Sequence, residues 1–256
     1  MKTSRNPVFN KVNNLSQAPG DEDYIVGQSS EALIQSATYK GVGLKIVYFL
    51  MITIVSAFFG LLLVNYFPNL FIVLLVVSIF TGFISAILAM SKFKLSFVFG
   101  TIYCVGEGMF LGVVSMLAEA ALPGIIASVV AATLAVVVSC GLLFLTGLVK
   151  VNSKFNKFLL TAMFGFLISL LLISILGWIG LIDTSGFVLN LGISAISVLL
   201  ASFVLISDME QARQLVENAG PKACEWMVAF GIAYAVLWIY IELLRLAIII
   251  FGNSRN

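Results

Sequence analysis

Four ionisable side chains fall inside or at the edge of long apolar stretches of this sequence: Glu107, Asp208, Glu242 and Arg245. Placing such a group in a membrane-spanning helix costs about 2.5–3.5 kcal/mol on insertion scales. Each must therefore face protein or water. Carboxylates set at different depths can hand a hard cation or a proton along a helix bundle, and oxygen ligands suit calcium. Glu107 follows Leu95 by twelve residues, which at about 1.5 Å per residue places it roughly 18 Å into its span, near the midplane. Glu242 follows Trp226 by sixteen, roughly 24 Å along and in the outer half. Arg245 comes three residues later and can pair with Glu242 on one helix face. Tyr234, Trp238, Glu242 and Arg245 make an i, i+4, i+8, i+11 stripe, so one side of the last helix carries nearly all its polarity. That side cannot face lipid, and the last helix is expected inside the bundle.

Each group also has a plainer reading. Glu242 and Arg245 fit a buried or snorkelling ion pair that fixes packing. Glu107 fits a carboxyl hydrogen-bonded to a neighbouring helix. Asp208 fits a solvated helix end beside Glu210, Gln211 and Arg213. Glu119, Asp183, Glu217 and Glu225 fall in loops or helix ends and are expected to be solvated.

The elements that hold these groups follow from composition. Of 256 residues, 61% are apolar and 10% charged, against about 45–50% and about 25% in soluble domains. The mean hydropathy is +1.12. No packed core absorbs that much apolar surface with so little polar surface left to face water. A soluble enzyme, a disordered chain and a nucleic-acid-binding domain are excluded, and the lipid bilayer is the main partner. A net charge of +2 is too mild to argue for a polyanion.

The sequence has no His, which removes Ser-His and Cys-His nucleophiles, the HExxH zinc site and imidazole ligation of haem. Cys104, Cys140 and Cys224 are odd in number and scattered. They read as small apolar fillers rather than a disulfide framework or zinc cluster. No cofactor or resident metal is expected. An intramembrane aspartyl protease needs two carboxylates that share a proton. Asp208 has only Asp183 as a rival, on the opposite side by topology, so no enzyme is expected.

Residues 1–40 are polar, carry Asp21-Glu22-Asp23 and lack an apolar region typical of a cleaved signal peptide. They read as a cytoplasmic tail before a membrane domain at 41–256. Spans of about 20 apolar residues fall at roughly 43–64, 70–91, 95–117, 123–147, 158–178, 186–208 and 226–251. The expected architecture is all-α, a polytopic protein of seven transmembrane helices with the last one central. Basic residues alternate along the connections. The tail, Lys92 with Lys94, Lys150 with Lys154 and Lys157, and Arg213 with Lys222 carry them, and the intervening connections carry none. The positive-inside rule then puts the N-terminus in the cytoplasm and the C-terminus outside. Gly108 and Gly112 form a GxxxG, which lets two helices approach closely.

The stretch Ser207-Asp208-Met209-Glu210-Gln211-Ala212-Arg213, a short loop, and a last helix ending Glu242-Leu243-Leu244-Arg245-Leu246 resemble the Bax inhibitor-1/YccA family of transmembrane Bax inhibitor motif proteins. Asn6-Pro7-Val8-Phe9, the run Tyr39 to Lys45, Gly220-Pro221-Lys222 with Glu225-Trp226, and Glu107 to Gly112 extend the resemblance to a bacterial branch. It implies a seven-helix fold with a central last helix, in a bacterial inner membrane. It also implies a pH-sensitive calcium leak set by two aspartates on the cytoplasmic side. Asp208 falls on the first of these. Ala235 stands where the second would be, ten residues before Arg245, and Met90-Ser91-Lys92 where some relatives place an Arg.

A passive or proton-coupled Ca2+ or H+ pathway is the leading expectation, with Glu107 and Glu242 as substitute carriers. The other is a non-conducting regulator acting on a membrane protease or stress-response partner through the tail.

Overall fold

The computed structural model describes residues 36–67, 69, 71–184 and 186–253. Residues 1–35, most of the expected tail, lie outside the described residues together with the Asn6-Pro7-Val8-Phe9 stretch. The described chain is all-helical apart from an isolated bridge between Ser36 and Pro221. Its helices are α1 (Tyr39–Tyr66), α2 (Phe71–Ser91), α3 (Ser96–Ala121), α4 (Ile125–Leu145), α5 (Ser153–Trp178), α6 (Phe187–Glu217) and α7 (Glu225–Asn253), with a 3-10 turn at Lys222–Cys224. Six of them are long and apolar enough to cross a membrane, and α2 carries the shorter apolar stretch Val76–Ser91.

α7 packs against α1, α2, α3, α4 and α6. Ala229, Phe230, Ala233, Ala235 and Ile239 are fully buried on it. The polar stripe explains this position, because Tyr234, Trp238 and Glu242 are all half-buried rather than set against lipid. α5 is the opposite case. It packs on α6, Leu159 is its one buried residue, and it presents Phe158, Phe164, Leu167, Leu171 and Ile175 outward. Phe155 against Phe203, centroids 5.9 Å apart, and Ser207 donating to Asn156 Oδ1 at 3.2 Å tie it to α6.

Helix limits differ from the sequence reading in one place that matters. α6 continues nine residues past Asp208 to Glu217. Met209 to Leu215 are mostly strong helix formers, and Glu210 pairs with Arg213 at i, i+3 while accepting from Gln214 Nε2. The helix then closes in a Schellman turn, with the Gly220 N–H on Leu215 O and the Ala219 N–H on Val216 O. Asp208 is therefore an interior helix residue, not a solvated helix end.

In lipid there is little hydrophobic drive between helices, so close backbone contact counts for more. The GxxxG supplies it. A Cβ on Gly108 would lie 2.8 Å from Ser56 Cβ, and one on Gly112 2.9 Å from Ala57 Cα. Both glycines face α1. On α4, by contrast, a Cβ at Gly141 meets nothing within 4 Å. Gly108→Val should therefore lower stability in detergent by about 1–3 kcal/mol through overpacking, while Gly141→Ala should be neutral or slightly stabilising. Thermal unfolding of the two variants side by side checks the contrast.

Candidate functional site

The four singled-out residues do not form one cluster. They lie at different levels of the bundle, and α7 is the common reference. Taking Glu225 as its foot and about 1.5 Å of rise per residue, Gly231 stands about 9 Å up, Tyr234 about 14 Å and Glu242 about 26 Å.

Asp208 faces Gly231. A Cβ at that glycine would lie 3.4 Å from the Asp208 carboxylate carbon. The half-buried Asp208 accepts a 3.0 Å hydrogen bond from Gln211 Nε2 and lines a cavity of about 190 Å³ with Met90, Gln211, Met227, Val228 and Gly231. Arg213 is not its partner. That guanidinium is 2.7 Å from Glu210, 3.9 Å from Glu217, and lies over the Phe144 ring of α4. Ala235, in place of a second aspartate, is fully buried one turn beyond Gly231.

Glu107 stands opposite Gly82 of α2, whose added Cβ would lie 3.7 Å from Glu107 Oε2. It lies in electrostatic reach of Tyr103, Cys104 and Tyr234. Aromatic rings form a chain up α7. Phe49–Trp226 are 5.7 Å apart, Phe49–Phe230 5.6 Å, Tyr103–Phe230 5.3 Å, Tyr103–Tyr234 5.4 Å and Tyr234–Trp238 6.5 Å. Above Tyr234, Trp238 and a 2.8 Å hydrogen bond between Tyr240 and Ser115 fill the interval to Glu242.

The expected Glu242–Arg245 ion pair is absent among the described residues. Glu242 Oε2 is buried without a hydrogen-bond partner, whereas Arg245 is exposed. Arg245 is eight residues from the end of α7, and its long stem can carry the guanidinium outward, away from the carboxylate.

Two acids expected to be solvated are structural. Glu119 accepts from the Gly124 and Ile126 N–H groups at 2.6 and 3.0 Å and so caps the start of α4. Glu225 is 0% exposed. Its carboxylate pairs with Lys45 Nζ of α1 and accepts the Thr38 N–H at 2.8 Å. Lys45 also lies over the Trp226 ring, 5.0 Å from its centroid. Gly41 makes room for the carboxylate, because a Cβ there would come within 2.7 Å of Glu225 Cδ. The runs Tyr39 to Lys45 and Gly220 to Trp226 are thus in contact. An acid at the first position of the last helix, just after Gly220-Pro221, with a lysine just inside the first span, was the available signal.

The model of the family described as Bax inhibitor 1 like matches residues 6–252. The chain belongs to that family. No curated relative matches it. Among the described residues no three Cys, Asp or Glu side chains converge as a metal site would need. The acids singled out in this Bax inhibitor 1 like protein instead stand as separate carboxylates around α7.

Because Glu242 and Arg245 do not touch, Glu242→Gln and Arg245→Gln should act independently. Their effects on thermal stability should sum in the double variant to within about 0.3–0.5 kcal/mol. Coupling beyond that range would show a pair that the geometry lacks.

Proposed function

We propose that this Bax inhibitor 1 like protein is a cation leak of a bacterial inner membrane, passing Ca2+ passively or with proton coupling. The observation that carries the reading is the placement of Asp208, Glu107 and Glu242 at rising heights around α7, with Asp208 on a small cavity. A fixed metal site would need several ligands at one level. A leak needs weak, separate stations that an ion can enter and leave. Asp208 serves as the station nearest the α6–α7 connection, Glu107 as the middle one, and Glu242 as the outer one. Trp238 and the Tyr240–Ser115 contact close the interval between the last two, so conduction requires them to part.

In this reading all seven helices cross the membrane. The connections carrying lysine and arginine face the cytoplasm, which puts the 150–157 loop and the N-terminus inside and the C-terminus outside. Reporter fusions at the 150–157 loop and after residue 256 should report opposite sides. A cytoplasmic C-terminus would overturn the span count.

The activity test is calcium flux into dye-loaded vesicles containing the purified full-length protein, followed from pH 5 to 8. Flux above empty vesicles is expected, and Asp208→Asn should reduce it several-fold and flatten its pH profile. An unchanged profile would remove Asp208 from the pathway. Absence of flux at every pH would overturn the leak and favour a non-conducting regulator of a membrane protease.

A further inference from the structure

Outside the carboxylate series, the foot of α7 is held by an unusual concentration of polar contacts. The Ala37 N–H donates to Gly220 O at 2.8 Å, and Ser36 bridges Pro221. Thr38 caps α1 through the Gly41 N–H while its own N–H donates to Glu225. Lys45 closes the arrangement on the buried Glu225 carboxylate. Above this level the α1–α7 contact is aromatic, Phe49 against Trp226 and Phe230. Directional contacts therefore gather at one end of the interface.

That end adjoins the Asp208 cavity. Met227, Val228 and Gly231 line it, and they follow Glu225 on the same unbroken helix by two, three and six residues. A rigid helix passes a displacement of its foot directly to those positions. We propose that residues 36–38 and Lys45 form a latch on Glu225 that keeps the mouth of the Asp208 cavity narrow, so that releasing the latch widens it to solvent. The consequence for ion flow rests on the leak reading, while the latch itself does not.

Thiol accessibility tests it without measuring flux. The full-length protein in lipid nanodiscs carries Cys224→Ser together with Val228→Cys on the cavity wall. A companion protein carries Ala229→Cys, whose position is fully buried on α7. Cys104 and Cys140 are buried and should react slowly with a polar maleimide. Adding Lys45→Met should raise the labelling rate at position 228 at least tenfold and leave position 229 within twofold. Gly41→Ala keeps every charge and only presses on the Glu225 carboxylate. It should raise the rate at 228 several-fold, and it stands as the test if Lys45→Met does not fold.

Unchanged labelling at 228 in a folded variant would overturn the latch. So would an equal rise at 229, which would mean that the helix end unravels rather than that the cavity widens. Faster labelling at 228 in a protein without calcium flux would keep the latch and reject the leak. Flux that persists with labelling unchanged would do the reverse.

Discussion

A carboxylate with no solvent contact dominates the organisation of this bundle. Desolvating an ion costs several kcal/mol after relaxation, and only close, well-placed partners offset it. Glu225 has three sources of compensation. Lys45 supplies the opposite charge and Thr38 a backbone N–H. Its place at the first position of α7 puts it beside the positive end of the helix dipole. Gly41 supplies the space. These demands can be met together only when the start of α1 and the foot of α7 adopt one relative height and rotation. The remaining contacts of α7 follow from that setting: Phe230 against Phe49, Gly231 against Asp208, and Tyr240 against Ser115.

Elsewhere the helices are held by two weaker devices. The first is close approach through small residues, seen where Gly108 and Gly112 of α3 meet α1. The second is a sparse set of polar links, with Tyr48 to Thr101 at 3.3 Å, Tyr240 to Ser115 and Ser207 to Asn156 each joining two helices. The glycines of α5 bring it close to no other helix, since a Cβ at Gly165 would meet open space and one at Gly177 would meet Thr184 of the following connection. With lipid as apolar as its own side chains, its position depends on α6 and on the connections at its ends. The bundle is thus graded, firm along α1, α3 and α7 and loosest at α5.

Much of this was legible in the sequence because lipid imposes blunt constraints. Apolar runs marked the seven α-helices of the described residues, and the stripe from Tyr234 to Glu242 placed the last one inside. The GxxxG marked a close crossing, though nothing in the sequence said that α1 was the partner. The end of α6 is misplaced at Asp208 because an apolar stretch ends there. The helix does not, since Met209, Glu210, Gln211, Ala212 and Arg213 extend it in polar form. Glu225 was misjudged for the reciprocal reason. It stands at a helix end, where solvation is the ordinary outcome, and only the arrival of Lys45 from a distant part of the chain buries it. Arg245 had the right spacing for Glu242, but spacing along a helix does not fix where a long side chain goes.

Ala235 bears on how a leak of the proposed kind would open. A second aspartate at position 235, which the family resemblance implies, would give Asp208 a local two-state switch, because like charges at close range cannot both stay ionised. Here Asp208 meets Gly231, with Ala235 a turn beyond, and its polar contact is with Gln211 of its own helix. No second carboxylate on α7 competes for its proton. A change at Asp208 alone therefore lacks a charged counterpart through which to push α6 and α7 apart. In the proposed leak, a force that moves α7 relative to α6 has to enter elsewhere on α7. Its foot, where a buried ion pair and a short backbone bridge tie it to the entry of α1, is the place where this sequence concentrates that leverage.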